Sequence, residues 1–148
     1  MRTSQASMAL ISRIGSDNKR LWLTQWNEKW QAFNLVGGRP KGSEDARDCC
    51  LREISEELQL RPEVDFVVAV EPLAVLRYEA FSQSAQELTQ YEMTLFDVQL
   101  RDSAERLIEA NPANRWLSEQ EIARQQCGDG KRVSETTARL LRATGRMV

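Results

Sequence analysis

Apolar and polar residues alternate along the first third of the chain with the period of two expected of strands. Residues 7–14 (Ser-Met-Ala-Leu-Ile-Ser-Arg-Ile) read as a strand, and Gly15-Ser16-Asp17-Asn18 has turn chemistry. Leu21, Leu23 and Gln25 alternate with Trp22, Thr24 and Trp26, which predicts a returning strand over 20–26 with Trp22 and Trp26 on one face. Asn27-Glu28-Lys29 makes a further turn, and a third short strand is expected from Trp30 to Val36, ending at Gly37-Gly38. Arg39 to Ser43 is a loop. The period then changes. Ala46, Cys50, Ile54 and Leu58 recur every four residues with Leu51 beside them, so 44–58 reads as a helix. Ser43 is placed to cap it, Glu44 and Asp45 suit the positive end of its dipole, and Arg61-Pro62 stops any continuation.

Beyond the helix, Val64 to Val70 is a candidate buried strand, and Leu73–Phe81 with Thr89–Leu100 form a long hairpin around Ser82–Glu87. Arg101 to Ala113 is polar and reads as a loop with a short helix, followed by a short strand at Arg115-Trp116-Leu117. Ser118 to Glu121 has the spacing of a capping box, so a short helix is expected to about Gln126, broken by Gly128-Asp129-Gly130. Ser134 caps a last helix running to Gly145. Strands, helix, strands, helices, with neither repeat nor linker, predict one mixed α/β domain over residues 1–148.

Composition narrows the chemistry. The longest uninterrupted apolar run is Phe66 to Val70, far short of the roughly 20 residues of a membrane helix. Residues 1–16 lack a secretory apolar region, so the expected location is the cytoplasm. The net charge is −2, and the 16 arginines and 4 lysines are scattered, which argues against nucleic acid as the main partner and leaves arginines free to fork onto phosphates of a small ligand. There is no histidine, which excludes Ser-His-Asp and Cys-His catalysis and the common zinc sites. Any metal must be held mainly by oxygen, as Mg²⁺, Mn²⁺ or Ca²⁺ are. Cys49, Cys50 and Cys127 lack metal-site spacing and are expected to be small buried residues in a reducing compartment.

Glu53, Glu56 and Glu57 stand at i, i+3 and i+4, on one face of the predicted helix. Three carboxylates there repel one another, and a hard divalent cation relieves that repulsion. Arg52 can reach Glu56, the opposite face is apolar, and Gly37-Gly38 lets backbone approach a metal or a phosphate. The same glutamates taken alone also fit an ordinary solvated helix face. The spacing of the whole segment goes further. It runs Gly38, five residues, Glu44, seven residues, Arg52-Glu53-Ile54-x-Glu56-Glu57, two residues, Leu60. This resembles the Nudix box, Gly-x5-Glu-x7-Arg-Glu-U-x-Glu-Glu-x-Gly-U with U a bulky aliphatic, at eight of its nine defined positions and without insertion or deletion. Gln59 stands where the family has glycine. That glycine ends the helix, where a left-handed backbone is common, so the departure bears on the helix exit and not on a ligand.

The resemblance implies a Nudix-like α/β/α sandwich, a mixed sheet with a catalytic loop-helix-loop. It implies metal-dependent hydrolysis of a pyrophosphate bond in a nucleoside diphosphate linked to another moiety, by water attack on phosphorus. By position, Glu53 and Glu57 become the leading ligands of Mg²⁺ or Mn²⁺, with Glu56 as third ligand or base and the carbonyl of Gly37 or Gly38 beside them. Arg52 would orient the cluster by an ion pair, and Glu44 would brace the loop or serve the same network. Family members often recruit a further acid from outside the box; Glu109 is the first candidate here, beside Glu105 and Glu79. Tyr78 lies 18 residues beyond Leu60, at the distance at which dinucleoside polyphosphate hydrolases of the family carry a tyrosine. Pro72, 12 residues beyond it, falls short of the proline spacing of the family's ADP-ribose pyrophosphatases. Trp22, Trp26, Trp30, Phe33 and Trp116 are candidates for stacking on a base or for the core. The competing function is a Nudix-fold module that binds a nucleotide or regulates without cleaving, although all four box glutamates are present here. The expected partner is a small nucleotide, with no membrane, and the sequence leaves a homodimer open.

Overall fold

Alternation along the first strand, β1 (Arg2–Ile14), sets the layering. Met8 and Leu10 enter one apolar cluster and Ala9 and Ile11 the other, so both faces of the strand are covered. In the computed structural model, which describes residues 1–148, β2 (Arg20–Asn27), β3 (Ala32–Asn34) and β4 (Gly37–Gly38) follow, then α1 (Ala46–Leu58). Next come β5 (Phe66–Val68), β6 (Ala74–Ser82), β7 (Glu87–Leu100), α2 (Asp102–Glu109), β8 (Asn114–Ser118), α3 (Glu119–Ala123) and α4 (Glu135–Ala143). The strands make one mixed sheet along the path β3-β2-β1-β7-β5, with β4 added to β1, β6 to β7 and β8 to β2. β1 and β7 are parallel, and the other named strand pairs are antiparallel.

Helices cover both faces. α1 contributes Cys50, Ile54 and Leu58, and α2 contributes Ala104 and Ile108, to the cluster with Ala9, Ile11, Phe96 and Val98. α3 and α4 contribute Ile122, Ala138, Leu140 and Leu141 to the cluster with Met8, Leu10, Leu95 and Phe33. The expected α/β/α sandwich with a mixed sheet is therefore the observed architecture.

Several boundaries differ from those expected of the sequence. β1 begins at Arg2, not at residue 7, because its polar first residues pair with β7 from Thr89 onward, and a tertiary pairing leaves no apolar signature. The third strand shrinks to Ala32–Asn34: Trp30 donates its N–H to Asn27 Oδ1 at 3.0 Å, and Gln31 takes φ 51°, so a turn holds these residues. Gly37-Gly38 forms its own short strand against Ser7 and Met8. The apolar run 64–70 yields only Phe66–Val68, and Val64 and Val70 are exposed. Residues 102–109 are a helix, and the helix after the capping box of Ser118 and Glu121 ends already at Ala123.

The helix exit confirms its expected geometry. Gln59 has φ 57° and ψ 42°, a left-handed residue closing α1, and its Nε2 donates to Glu56 O at 2.6 Å. A side chain in this conformation costs roughly 1–2 kcal/mol. Gln59→Gly is therefore expected to raise stability by about 1 kcal/mol, with turnover little changed. Thermal or denaturant unfolding of the two proteins, beside their turnover, checks this; a fall in stability would show that the amide hydrogen bond outweighs the strain.

Candidate active site

α1 is tied to the sheet at both ends. Ser7 Oγ, buried in β1, donates to Ala46 O at 2.7 Å. Arg47 holds the carbonyls of Ala69 and Val68 with Nε and Nη2, at 3.1 and 2.9 Å. At the other end Gln25 Nε2 donates to Glu57 O at 2.9 Å and to Asn114 Oδ1 at 2.8 Å, linking β2 and β8 to the last turn. The cap is Asp45 and not Ser43: Asp45 is extended, and its Oδ1 accepts the N–H of Asp48 at 2.8 Å. The helix thus starts two residues later than expected, and Glu44 lies outside its first turn. Freed from the helix, Glu44 braces the loop through its Oε1, which accepts the Lys41 N–H at 2.8 Å.

Arg52 organises the carboxylates. Its Nε and Nη2 fork onto Glu44 Oε2 and Oε1 at 2.7 and 3.0 Å, and Nη1 reaches Glu53 Oε1 at 2.9 Å and Glu56 Oε2 at 3.3 Å. Nη2 also donates to Arg39 O at 3.0 Å, fastening the loop after Gly38. Two-point geometry of this kind is specific to a guanidinium. The hydrogen bond from Arg52, then that from the Lys41 N–H, hold the Glu44 carboxyl below the usual carboxylate range.

Glu57 has the opposite environment. Burial first, then the hydrogen-bonding reach and charge of Glu53 and the charge of Glu56, push its carboxyl up to about 9. Glu53 also lies hard against Gly38, where an added Cβ would fall 2.5 Å from its Oε1. The Gly38 carbonyl faces the same helix and accepts from Cys49 Sγ at 3.4 Å. No three acidic side chains converge to hold an ion by themselves. The oxygens that could share an ion with the backbone are those of Glu53, which lies against Gly38, and of Glu57, which Glu53 faces, with Glu56 half-exposed at the rim. Two neighbouring carboxylates beside a glycine backbone, one of them pushed toward its neutral form by burial and by the other, offer the oxygen donors that fit a hard divalent cation.

A family model described as NUDIX domain matches residues 4–137. The chain belongs to the Nudix family. No curated protein matches it closely enough to add a function. Solved structures share the Nudix fold across nearly the whole chain. An Ap4A hydrolase from C. elegans is 15% identical with a TM-score of 0.61, covering 97% of this chain and 97% of its own. The MutT protein from Methanosarcina mazei Go1 is 16% identical with a TM-score of 0.58, over 98% of this chain and 94% of that one. The NUDIX domain of Shewanella oneidensis NrtR, seen complexed with ADP ribose, is 12% identical with a TM-score of 0.57, over 99% and 88%. At these identities the likeness is one of fold.

The Nudix helix thus brings together Glu53, Glu56, Glu57, Arg52 and Glu44, with Gly38 against Glu53. It does not gather the outlying candidates. Glu109 is exposed at the end of α2, and neither it nor Glu105 or Glu79 makes an ion pair or hydrogen bond to α1. Tyr78 stacks on Tyr91 at 5.4 Å, with Arg139 of α4 4.4 Å over its ring, on the sheet face opposite α1. Trp22 is buried in that same cluster, and Trp26 meets Phe33 edge-on at 5.0 Å. Lys131, Arg115 and Arg13 cap Trp26, Phe33 and Trp116, while Trp30 is exposed on a turn. The three cysteines are free and buried, and burial raises all three thiols, Cys50 to about 12. Reading the sequence alone missed Gln25, which supports α1 from β2. Its only sequence signal is an amide on the strand face that otherwise shows Leu21 and Leu23. No helix is long and apolar enough to cross a membrane.

Proposed function

We propose that this Nudix chain hydrolyses the pyrophosphate bond of a nucleoside diphosphate linked to another moiety, with Mg²⁺ or Mn²⁺ as cofactor. The observation that carries the reading is the apposed Glu53 and Glu57 carboxylates on a helix fixed at both ends, beside the Gly37-Gly38 backbone. Helix stability alone gives no reason for that arrangement, and a cation does. Ap4A and ADP ribose, the compounds named for two of the structural relatives, both belong to the proposed substrate class. The reduced, buried cysteines accord with a cytoplasmic enzyme.

In this reading Glu53 and Glu57 are the principal metal ligands, with the carbonyl of Gly37 or Gly38 beside them. The cation supplies charge neutralisation on the phosphate oxygens and a lower pKa for the attacking water. Glu56, at the solvent rim, accepts the proton of that water as its oxygen bonds to phosphorus and the bridging P–O bond breaks. The products are a nucleoside monophosphate and the phosphorylated second moiety. Arg52 keeps Glu53 and Glu56 oriented while Glu44 anchors its far side. The experiment is hydrolysis of a panel of nucleotide sugars, dinucleoside polyphosphates and deoxynucleoside triphosphates. Turnover is expected with Mg²⁺ or Mn²⁺ and is expected to vanish after exhaustive EDTA treatment without zinc restoring it. Full activity in EDTA would overturn the metal role. Nucleotide binding without turnover of any substrate would favour a binding module.

A further inference from the structure

β6 is hydrogen-bonded along one side only. It pairs with β7 from Ala74 opposite Leu95 to Ser82 opposite Glu87 without a bulge, and its other side has no strand partner. It contains no proline, and none of its residues departs from extended backbone to a positive φ. Natural edge strands usually carry a device against pairing, such as a bulge, a proline, a covering loop or charged side chains; the charges on β6, Arg77 and Glu79, are opposite in sign. This one leaves Val75 at 40% and Phe81 at 52% exposed, with Leu88 of β7 opposite Phe81 at 48%.

The order of side chains says what fits that edge. On the face shared with α1 the strand reads Val75, Arg77, Glu79, Phe81, and on the other face Ala74, Leu76 and Tyr78 pack toward α4. Tyr78 is the middle residue of the strand. We propose that β6 pairs antiparallel with β6 of a second copy of this chain about a two-fold axis at Tyr78, making one continuous sheet across a homodimer.

About that axis Arg77 stands opposite the partner's Glu79 and Glu79 opposite the partner's Arg77. Val75 stands opposite the partner's Phe81, so the exposed apolar side chains are covered in the same register. Opposite charges and apolar groups directly across an antiparallel pair are stabilising, and like charges there are destabilising. Moving the axis to residue 77 or 79 sets Arg77 on the partner's Arg77 or Glu79 on the partner's Glu79. The register at Tyr78 is also the one that overlaps the whole strand. Arg77 already pairs with Glu92 at 2.9 Å within its own chain, which holds the guanidinium on the face where the partner's carboxylate arrives. Glu79 makes no ion pair inside the chain and receives one only from the partner. Self-complementarity of this kind selects a second copy over an unrelated extended peptide, whose charges need not match. This inference is independent of the proposed reaction.

The test is a charge exchange read by sedimentation. The wild-type chain is expected to show twice the 17.0 kDa mass of one chain, rising with concentration. Arg77→Glu and Glu79→Arg each set like charges opposite one another at both symmetric positions, and each alone is expected to weaken association at least about 10-fold. Mixed in equal amounts, the two variants make both cross-strand pairs opposite in sign. The mixture is then expected to recover association to within about 3-fold of wild type. Recovery also proves that each variant is folded. Should a variant fail to fold, the concentration dependence of amide exchange in wild-type β6 decides: protection that rises on association supports the pairing, and unchanged protection overturns it. A wild-type chain that stays monomeric up to about 1 mM, a single variant that associates as tightly as wild type, or a mixture of folded variants that stays monomeric would each overturn the proposal.

Discussion

Glu53→Gln and Glu57→Gln are each expected to lower turnover at least about 100-fold while leaving the fold intact, because charge stabilisation of a phosphoryl centre is worth several kcal/mol. The two variants should part company in stability. At Glu57 the wild-type carboxyl is pushed up by burial and by Glu53 and Glu56, so the folded protein bears a cost that glutamine removes. Its melting temperature without metal should be unchanged or higher. At Glu53 the same substitution also loosens the 2.9 Å pairing with Arg52, which retains Glu44 and Glu56, so part of the gain is cancelled. Added Mg²⁺ should raise the melting temperature of wild type and do so less for either variant, since a ligand that binds only the folded state stabilises it in proportion to its affinity. Steady-state hydrolysis and melting with and without Mg²⁺ check all of this. Near-normal turnover in both variants would place the metal elsewhere.

The part of the site that is local in sequence was legible there. The four-residue recurrence of Ala46, Cys50, Ile54 and Leu58 set the buried face of α1, and the glutamate spacing followed on its other face. Even the left-handed Gln59 was readable, because the pattern has glycine at that position. What was not legible depends on partners far along the chain. Asp45 displaces Ser43 as the cap because Glu44 is drawn out to Arg52, a choice that propensity at 43–45 cannot express. Gln25 supports Glu57 O across 32 residues of sequence. The first four residues of β1 are polar and become strand only by lying beside β7. Tyr78 stands in a strand, where a tyrosine is usually core, and it does pack; the contacts it makes are with Tyr91 and Arg139, which no local pattern foretells.

Adjacent glycines should fail in different ways when changed to alanine. At Gly38 the added methyl would lie 2.5 Å from Glu53 Oε1, 2.6 Å from its Cδ and 2.9 Å from its Oε2. A side chain can swing aside, but Glu53 is held by Arg52, so relief comes from moving Glu53, the proposed ligand, off its position. Gly38→Ala is therefore expected to cost about 100-fold in turnover, the scale of a misplaced catalytic group, with a loss of only about 1 kcal/mol in stability. At Gly37 the methyl would collide with the backbone carbonyl of Ser7 and sit 2.7 Å from Met8 Sδ and 2.9 Å from Met8 Cα. Those atoms belong to the central strand β1 and cannot yield without lifting β4 from it. Gly37→Ala should then destabilise by about 3 kcal/mol or more, and the protein that remains folded should also be slow. Denaturant unfolding beside turnover per folded molecule separates the two. If Gly38→Ala keeps wild-type turnover, Glu53 does not work from the position it holds against Gly38, and the ligand assignment fails with it.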